Sequence, residues 1–212
     1  MRVLIIGATG PTGQQLVAQA AAAGHAATAL VRDAARARFA PSVRKAEGDV
    51  LDPGSLARAV ADQEAVVCSL GSGVTGPFKQ MTLLSAGTAN LVAAMKQAGV
   101  NRLVCITGIG AGESRGHGPW WYNWLVQPLM LRGVYQDKDR QEAVVRGSGL
   151  DWTLVRPGAL TNAPAKDAGA VRVLTDLAGV RAGFISRADV AAFCLSELAD
   201  RRYRQQAPVI TY

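Results

Sequence analysis

The chain of 212 residues is 49% hydrophobic and 18% charged, enough apolar material to bury a core, so disorder is excluded as its main state. Gly, Pro or charge breaks every apolar run before it could span a bilayer, and the opening MRVLIIGATG is too short for a secretory signal, so no membrane contact and a cytoplasmic location are expected. The net charge of +7 comes from scattered residues, which excludes a nucleic-acid tract and suits an anionic small molecule.

In chain order, Arg2–Ile6 reads as a buried parallel strand. Gln14–Ala23 is an Ala-rich helix stopped by Gly24. Strands are expected at Ala27–Val31 and, weakly, Val43–Glu47. A short helix opens at Pro53 and runs to Val60. Ala65–Leu70 is a strand before the turn at Gly71. Gln80–Ala98 is a long helix closed by Gly99, and Arg102–Ile106 a strand ending at Thr107-Gly108. From Pro119 to Arg146 the pattern is helical but interrupted, with Pro128 a kink or stop. Trp152–Val155 is a strand, Val171–Leu174 and Phe184–Ile185 are strand candidates, and Ala188–Leu198 is a helix. Pro208–Thr211 is expected as a last, edge strand. This alternation predicts an α/β domain around a parallel sheet, helices on both faces, with a small substrate-side elaboration in the second half and no separate domain.

Cys68, Cys105 and Cys194 are widely spaced, and His25 and His117 lie far from all three in sequence. No metal site and no disulfide framework follow; the thiols read as small core residues. Arg201, Arg202 and Arg204 cluster near the end of the chain and read as a solvated tail.

Gly7-Ala8-Thr9-Gly10-Pro11-Thr12-Gly13 follows a predicted strand and opens a predicted helix, the context that makes a glycine pattern informative. Gly7 permits the turn, Gly10 lets backbone approach a pyrophosphate, and Gly13 allows close helix–strand packing. Pro11 suits the first turn, and Thr9 and Thr12 add hydroxyls. The helix dipole and its unpaired N–H groups then face the phosphates. At the end of the next strand an acid would hold a ribose hydroxyl and an Arg a 2′-phosphate. Here Arg32 comes first and Arg36 shares its face if a helix starts there, so NADP(H) is favoured over NAD(H). Asp33 reads as a turn residue. Asp49 is either an adenine contact, with Val50 packing on the ring, or a turn residue. Leu70-Gly71 and Thr107-Gly108 end strands where open α/β sheets place ligands.

These segments, with Ser148-Gly149-Leu150-Asp151-Trp152-Thr153-Leu154-Val155-Arg156-Pro157-Gly158 and Ser186-Arg187-Ala188-Asp189-Val190-Ala191, resemble the atypical short-chain dehydrogenases with an NAD(P)H-binding, NmrA-like fold. The segment spacing is closest to the flavin reductase/biliverdin-IXβ reductase-like branch. The resemblance implies a Rossmann-type doubly wound sheet, a nicotinamide cofactor and hydride transfer, with the stretch around Pro157 beside the nicotinamide. It implies a 2′-phosphate role for Arg32 and a matching Thr at Thr107. The Ser that follows in those enzymes, assigned to the reacting centre, is Gly108 here.

Ordinary short-chain dehydrogenases use Tyr-x-x-x-Lys, the Tyr as proton donor. Here Tyr135 precedes Lys138 by three positions, and Val134 stands in the Tyr register. Tyr135, Lys138 and Thr107 are the catalytic candidates. Lys138 reads either as a ribose-positioning residue near the place of the usual Lys or as a surface cation paired with Asp137, Asp139 or Glu142. Trp120 and Trp121, in a tryptophan-rich run, read as a stacking lid over a flat substrate or as a helix start packed on the sheet. Hydride transfer to a flavin needs no phenolic acid. The expectation is therefore an NADPH-dependent reductase of a flavin or other conjugated small molecule, a monomer or weak dimer. The alternatives are a non-catalytic NADP(H) sensor and an NAD(H)-retaining isomerase or epimerase.

Overall fold

The structure, a computed structural model, describes residues 1–71, 81–117, 132–166, 168–179 and 181–212. Ten strands are described: β1 Arg2–Ile6, β2 Ala26–Val31, β3 Arg44–Glu47, β4 Ala65–Cys68, β5 Arg102–Ile106, β6 Asp151–Pro157, β7 Ala159–Thr161, β8 Arg172–Leu174, β9 Phe184–Ser186 and β10 Val209–Thr211. The described α-helices are α1 Pro11–Ala22, α2 Pro53–Val60, α3 Leu83–Ala98, α4 Arg132–Arg146 and α5 Arg187–Asp200. The main sheet has the order β3-β2-β1-β4-β5-β6-β10-β8. All its pairings are parallel except β10 with β8. This is the doubly wound Rossmann arrangement, and its strand order reverses between β1 and β4.

The β1 sequence is apolar at every position after Arg2 because both faces of the strand are covered. Val3 and Ile5 pack into one core with Leu16, Val17 and Ala20 of α1 and Val190, Cys194 and Leu198 of α5. Leu4 and Ile6 face a second core with Leu56 of α2, Leu91 and Met95 of α3, Val145 of α4 and Leu103 and Leu154 of the neighbouring strands. The period-2 alternation of a strand thus assigns α1 and α5 to one layer and α2, α3 and α4 to the other. The three cysteines are free and buried within these cores.

Three expectations are corrected. The Pro208–Thr211 segment is not an edge strand: β10 lies between β6 and β8, with Val209 and Ile210 fully buried. Arg172–Leu174 returns antiparallel to cover it, a pairing between distant segments that local pattern does not reveal. The Ala65–Leu70 strand stops at Cys68, with the Ser69 N–H making one last bond to the Ile6 carbonyl at 2.9 Å. The long helix does not include Met81 or Thr82; α3 starts at Leu83, where Asp137 of α4 accepts from the N–H groups of Leu84 (2.8 Å) and Ser85 (3.3 Å). Thr82 itself makes no side-chain cap, so a carboxylate from another helix marks this start. Residues 119–131 of the interrupted helical stretch, with Trp120 and Trp121, lie outside the described residues, as does Gln80.

A charged cluster closes the opposite end of the sheet from the strand C-termini. Arg102, the first residue of β5, is 2% exposed. It lies 3.4 Å from Asp151 at the start of β6 and 3.6 Å from Glu197 of α5, and it donates to the Thr153 hydroxyl at 3.0 Å. Arg201 and Arg204, expected as a solvated tail, pair with Asp151 at 3.4 and 3.2 Å. Removing the central cation leaves carboxylates buried without their principal partner, which costs about 3–5 kcal/mol in such settings. Because Asp151 keeps its two peripheral arginines, Arg102→Met is expected to lower unfolding free energy by about 3 kcal/mol, measured by urea denaturation. A loss within about 0.5 kcal/mol, the scatter of an ordinary surface substitution, would show that the cluster does not stabilise this edge.

Candidate functional site

The C-terminal ends of β1, β2, β3, β4 and β5 open into a cleft of about 600 Å³ at the point where the strand order reverses. Open α/β sheets bind ligands at this point, and the volume is typical of a small-molecule or cofactor site. The three loop glycines differ in what a side chain would meet. At Gly7, with φ +74°, a Cβ would lie 2.2 Å from the Ser69 carbonyl oxygen; at Gly13 it would lie 2.1 Å from the Gly7 carbonyl oxygen. Those two positions hold β1, β4 and α1 in contact. At Gly10 the nearest atom is 3.4 Å away, and Gly10 lines the cleft. The first turn of α1 also has no side-chain cap. Backbone donors of a twelve-residue helix therefore meet an open wall, a cradle that fits a pyrophosphate.

Thr9, Pro11 and Thr12 line the same wall, and Leu70 and Gly71 the end of β4. Beyond β2 the cleft is bordered by Arg32, and beyond β3 by Asp49 and Val50. Asp49 accepts from the Leu51 N–H at 2.9 Å, so it is a turn residue that also borders the cleft. Asp33 accepts from the N–H groups of Ala35 and Arg36 at 2.9 and 3.0 Å and lies 3.4 Å from the Arg36 guanidinium. Residues 34–36 form a turn, not the helix that would have set Arg36 beside Arg32, and Arg36 points into solvent outside the cleft lining. Arg32 is exposed, and among the described residues no carboxylate pairs with it.

At the other end of the cleft lie Ile106, Thr107 and Lys138. The Lys138 ammonium donates to the Thr107 carbonyl and sits 5.4 Å from the Tyr135 ring centre. Lys138 is half-buried rather than a free surface cation. Burial lowers its pKa to about 8 against the opposing pull of Glu142. The expected surface pair with Asp137 does not form, because Asp137 is turned to the start of α3. The Tyr135 hydroxyl donates to the Ile109 carbonyl at 2.8 Å, and Tyr135 is not part of the cleft lining. Gly108 and Pro157 stand just behind the lining. Gly108 has φ +149°, and a Cβ there would approach the Lys138 ammonium to 2.9 Å. Pro157 ends β6 and accepts from the Ile109 N–H at 2.9 Å.

Behind Thr107 is an ion network that local sequence pattern did not single out. The Thr107 hydroxyl donates to Glu142 at 2.8 Å. Glu142 also accepts from Arg156 Nε at 2.9 Å, and Arg156 pairs with Glu113 at 2.8 Å. Arg156 is 1% exposed. Burial pulls its pKa down, but hydrogen bonds to Glu142 and Glu113 outweigh it and raise it above the ordinary value. Arg156 in turn holds the Glu113 carboxyl at about 2. The signal in the sequence was a charged residue beside the apolar run Leu154-Val155 of a buried strand, which requires a buried partner. Leu160 of β7 and Arg187 of α5 complete the cleft wall and also went unassigned.

Among the described residues no group of His, Cys, Asp or Glu could hold a metal ion, and no helix is long and apolar enough to cross a membrane.

Residues 7–201 match the profile of the NAD(P)H-binding family. An uncharacterized sugar epimerase of Bacillus subtilis, YhfK, is 30% identical over 98% of this chain and 92% of its own length. An NAD(P)H azoreductase of Xenophilus azovorans is 29% identical over 99% of this chain and 67% of its own; other relatives are longer, the chain spanning 60% of one of them. Among solved structures, the anaerobilin reductase ChuY of Escherichia coli O157:H7 superposes with a TM-score of 0.83, at 22% identity, covering 100% of this chain and 97% of its own. With the match spanning the glycine loop through α5, this chain belongs to the NAD(P)H-binding family of Rossmann-fold oxidoreductases.

Proposed function

We propose that the protein is an NADPH-dependent reductase that delivers hydride to a flavin or another planar, conjugated acceptor. The observation that carries this reading is the composition of the cleft. It joins the glycine cradle and Arg32 at one end to Thr107 and Lys138 at the other, while the Tyr135 hydroxyl is bound to the Ile109 carbonyl. A ketone reductase of the usual kind needs a phenol beside its lysine as proton donor. A conjugated acceptor takes hydride without one, and the cofactor supplies that hydride when bound. The azoreductase relative, whose named substrate class is also conjugated, supports the same direction.

The chain's own groups then bind and orient. The backbone of Gly10–Thr12 receives the pyrophosphate. Arg32 reads the 2′-phosphate, since Asp33 is already committed to its own turn. Lys138, anchored by one donor on Thr107, keeps further donors for a ribose hydroxyl. Loss of the ammonium frees the nicotinamide end to move, and misplacement there costs on the order of tenfold to a hundredfold in turnover.

The direct test is NADPH oxidation by the purified protein against FMN, riboflavin, quinones and azo dyes. Turnover with at least one is expected. Dinucleotide binding without oxidation by any acceptor would favour the sensor alternative, and purification with tightly held NAD(H) would favour the epimerase one.

Cofactor choice gives a second outcome. Arg32→Ala is expected to weaken NADPH by about 1.5–3 kcal/mol, the loss of a charged hydrogen bond, with little effect on NADH. Isothermal titration of both cofactors checks it, and equal affinities in the wild type would rule out the assignment.

Lys138 predicts a pH dependence. Its ammonium is present below about 8 and lost above, so kcat/KM for NADPH should fall as pH rises through that value. Lys138→Met should turn over roughly tenfold to a hundredfold more slowly and lack this alkaline limb. An unchanged profile would remove Lys138 from the site.

A further inference from the structure

Three cations line the cleft: Arg32 beyond β2, Lys138 beside the end of β5, and Arg187 at the first position of α5. The first two have roles in the reading above; the third has none. Arg187 is half-exposed, and one η nitrogen donates to the Asn162 side chain at 2.7 Å, just after β7. Among the described residues no carboxylate forms an ion pair with it. The nearest acid in sequence, Asp189, is engaged elsewhere. It accepts from the Ser186 hydroxyl at 2.6 Å, the Lys166 N–H at 3.2 Å and the Tyr212 hydroxyl.

The position is unfavourable for a cation on helix grounds. The positive end of the α5 dipole lies there, and the first turn of a helix favours anions. Arg187 therefore does not serve the stability of α5. A guanidinium with most of its five donors uncommitted, held at an angle by Asn162 and facing a cleft, is arranged for an external anion.

The neighbourhood identifies which anion. The start of α5 packs beside the C-terminal half of α1, where the Gln19 side chain donates to the Ala188 carbonyl at 3.0 Å, and Arg187 reaches from there into the cleft lining. Arg187 thus borders the same cleft as Gly10, Pro11 and Thr12 from the α5 side. The α1 cradle supplies only partial charge to a group carrying two negative charges. Arg32 and Lys138 stand at the two ends of the cleft, by the strands β2 and β5.

We propose that Arg187, oriented by Asn162, is a clamp on the pyrophosphate of the bound dinucleotide, closing over it from α5 opposite the glycine loop. This assignment rests on the nicotinamide-cofactor reading of the cleft and adds to it a cation that the glycine loop itself does not provide. A bidentate guanidinium–phosphate contact is short, directional and poorly replaced by an ammonium.

The test separates the pyrophosphate from the other anions involved. NADP⁺ carries both the pyrophosphate and the 2′-phosphate, whereas 2′-AMP carries only the latter. By isothermal titration Arg187→Gln should weaken NADP⁺ by roughly tenfold to a hundredfold and leave 2′-AMP within about twofold. Arg187→Lys should recover part of the loss, and Asn162→Ala, which frees the guanidinium, should weaken NADP⁺ less than Arg187→Gln does. Arg32→Ala should weaken both ligands. Thermal melts of each apo variant at the wild-type midpoint confirm that folding is intact; Arg187→Lys retains the charge and carries the comparison should Arg187→Gln melt early. Unchanged NADP⁺ affinity in Arg187→Gln overturns the proposal, and a rise only in acceptor KM would assign Arg187 to an anionic acceptor instead. A wild-type protein that binds neither NADP⁺ nor NADPH would overturn the cofactor reading itself, an outcome distinct from failure of the clamp.

Discussion

The buried pair of Arg156 and Glu142 is the contact on which the Thr107 end of the cleft depends. Two charges inside the protein carry a large desolvation cost, and the pair is tolerable because several charge-assisted hydrogen bonds converge on it. Arg156 Nε and one η nitrogen donate to the two oxygens of Glu142, the same η nitrogen also donates to Glu113, and the Thr107 hydroxyl shares Glu142 Oε1 with Arg156 Nε. The consequence is geometric. β6, α4, the turn at Gly112–Ser114 and the end of β5 are all fastened to one point. Gly112 shows how tight this point is: a Cβ there would lie 2.5 Å from the Arg156 guanidinium. Thr107 is thereby fixed at both ends, its hydroxyl by Glu142 and its carbonyl by Lys138.

The same two strands carry a second charged cluster at their other end, with a different effect. Arg102 and Asp151 lie at the starts of β5 and β6, Arg102 also pairs with Glu197 of α5, and Arg201 and Arg204 add two more cations to Asp151. Nothing in the cleft lining touches that end. A polar anchor at each terminus of an apolar strand pair fixes its register, because a slip of one residue would expose every charge to the wrong partner. The clusters then diverge in use. The one at the strand starts joins the sheet to α5, and the one at the strand ends backs the Thr107 wall of the cleft.

How much was legible in the sequence follows from the range of each interaction. The glycine loop, the turn chemistry of Asp52–Ser55 and the Ser186 cap on α5 are local, encoded within a few residues, and so are the strands β1, β2, β5 and β6. Arg36 departs from the expectation for a local reason: Asp33 caps a single turn at residues 34–36, and no helix continues from it to carry Arg36 beside Arg32. The interior position of β10, the pairing of β7 with β9 and the network around Glu142 all join residues far apart in the chain. No short window of sequence contains both partners, so local pattern does not reveal them.

Gly108 links the local and the distant parts of the site. In the enzymes that this sequence resembles, a serine follows the threonine at the end of the fifth strand. Here the backbone takes φ +149°, a region that favours glycine, and the space a side chain would enter is held by the Lys138 ammonium. A serine at this position would therefore meet both backbone strain and a displaced lysine. The polar group lining the cleft beside Thr107 is consequently a cation carried by α4, not a hydroxyl carried by the strand. Its charge is set by two opposing environments: burial that removes the proton at about pH 8 and a buried carboxylate that retains it. Because that carboxylate, Glu142, is itself positioned by Arg156, the electrostatics of the cleft and the packing of β6 against α4 cannot be altered independently.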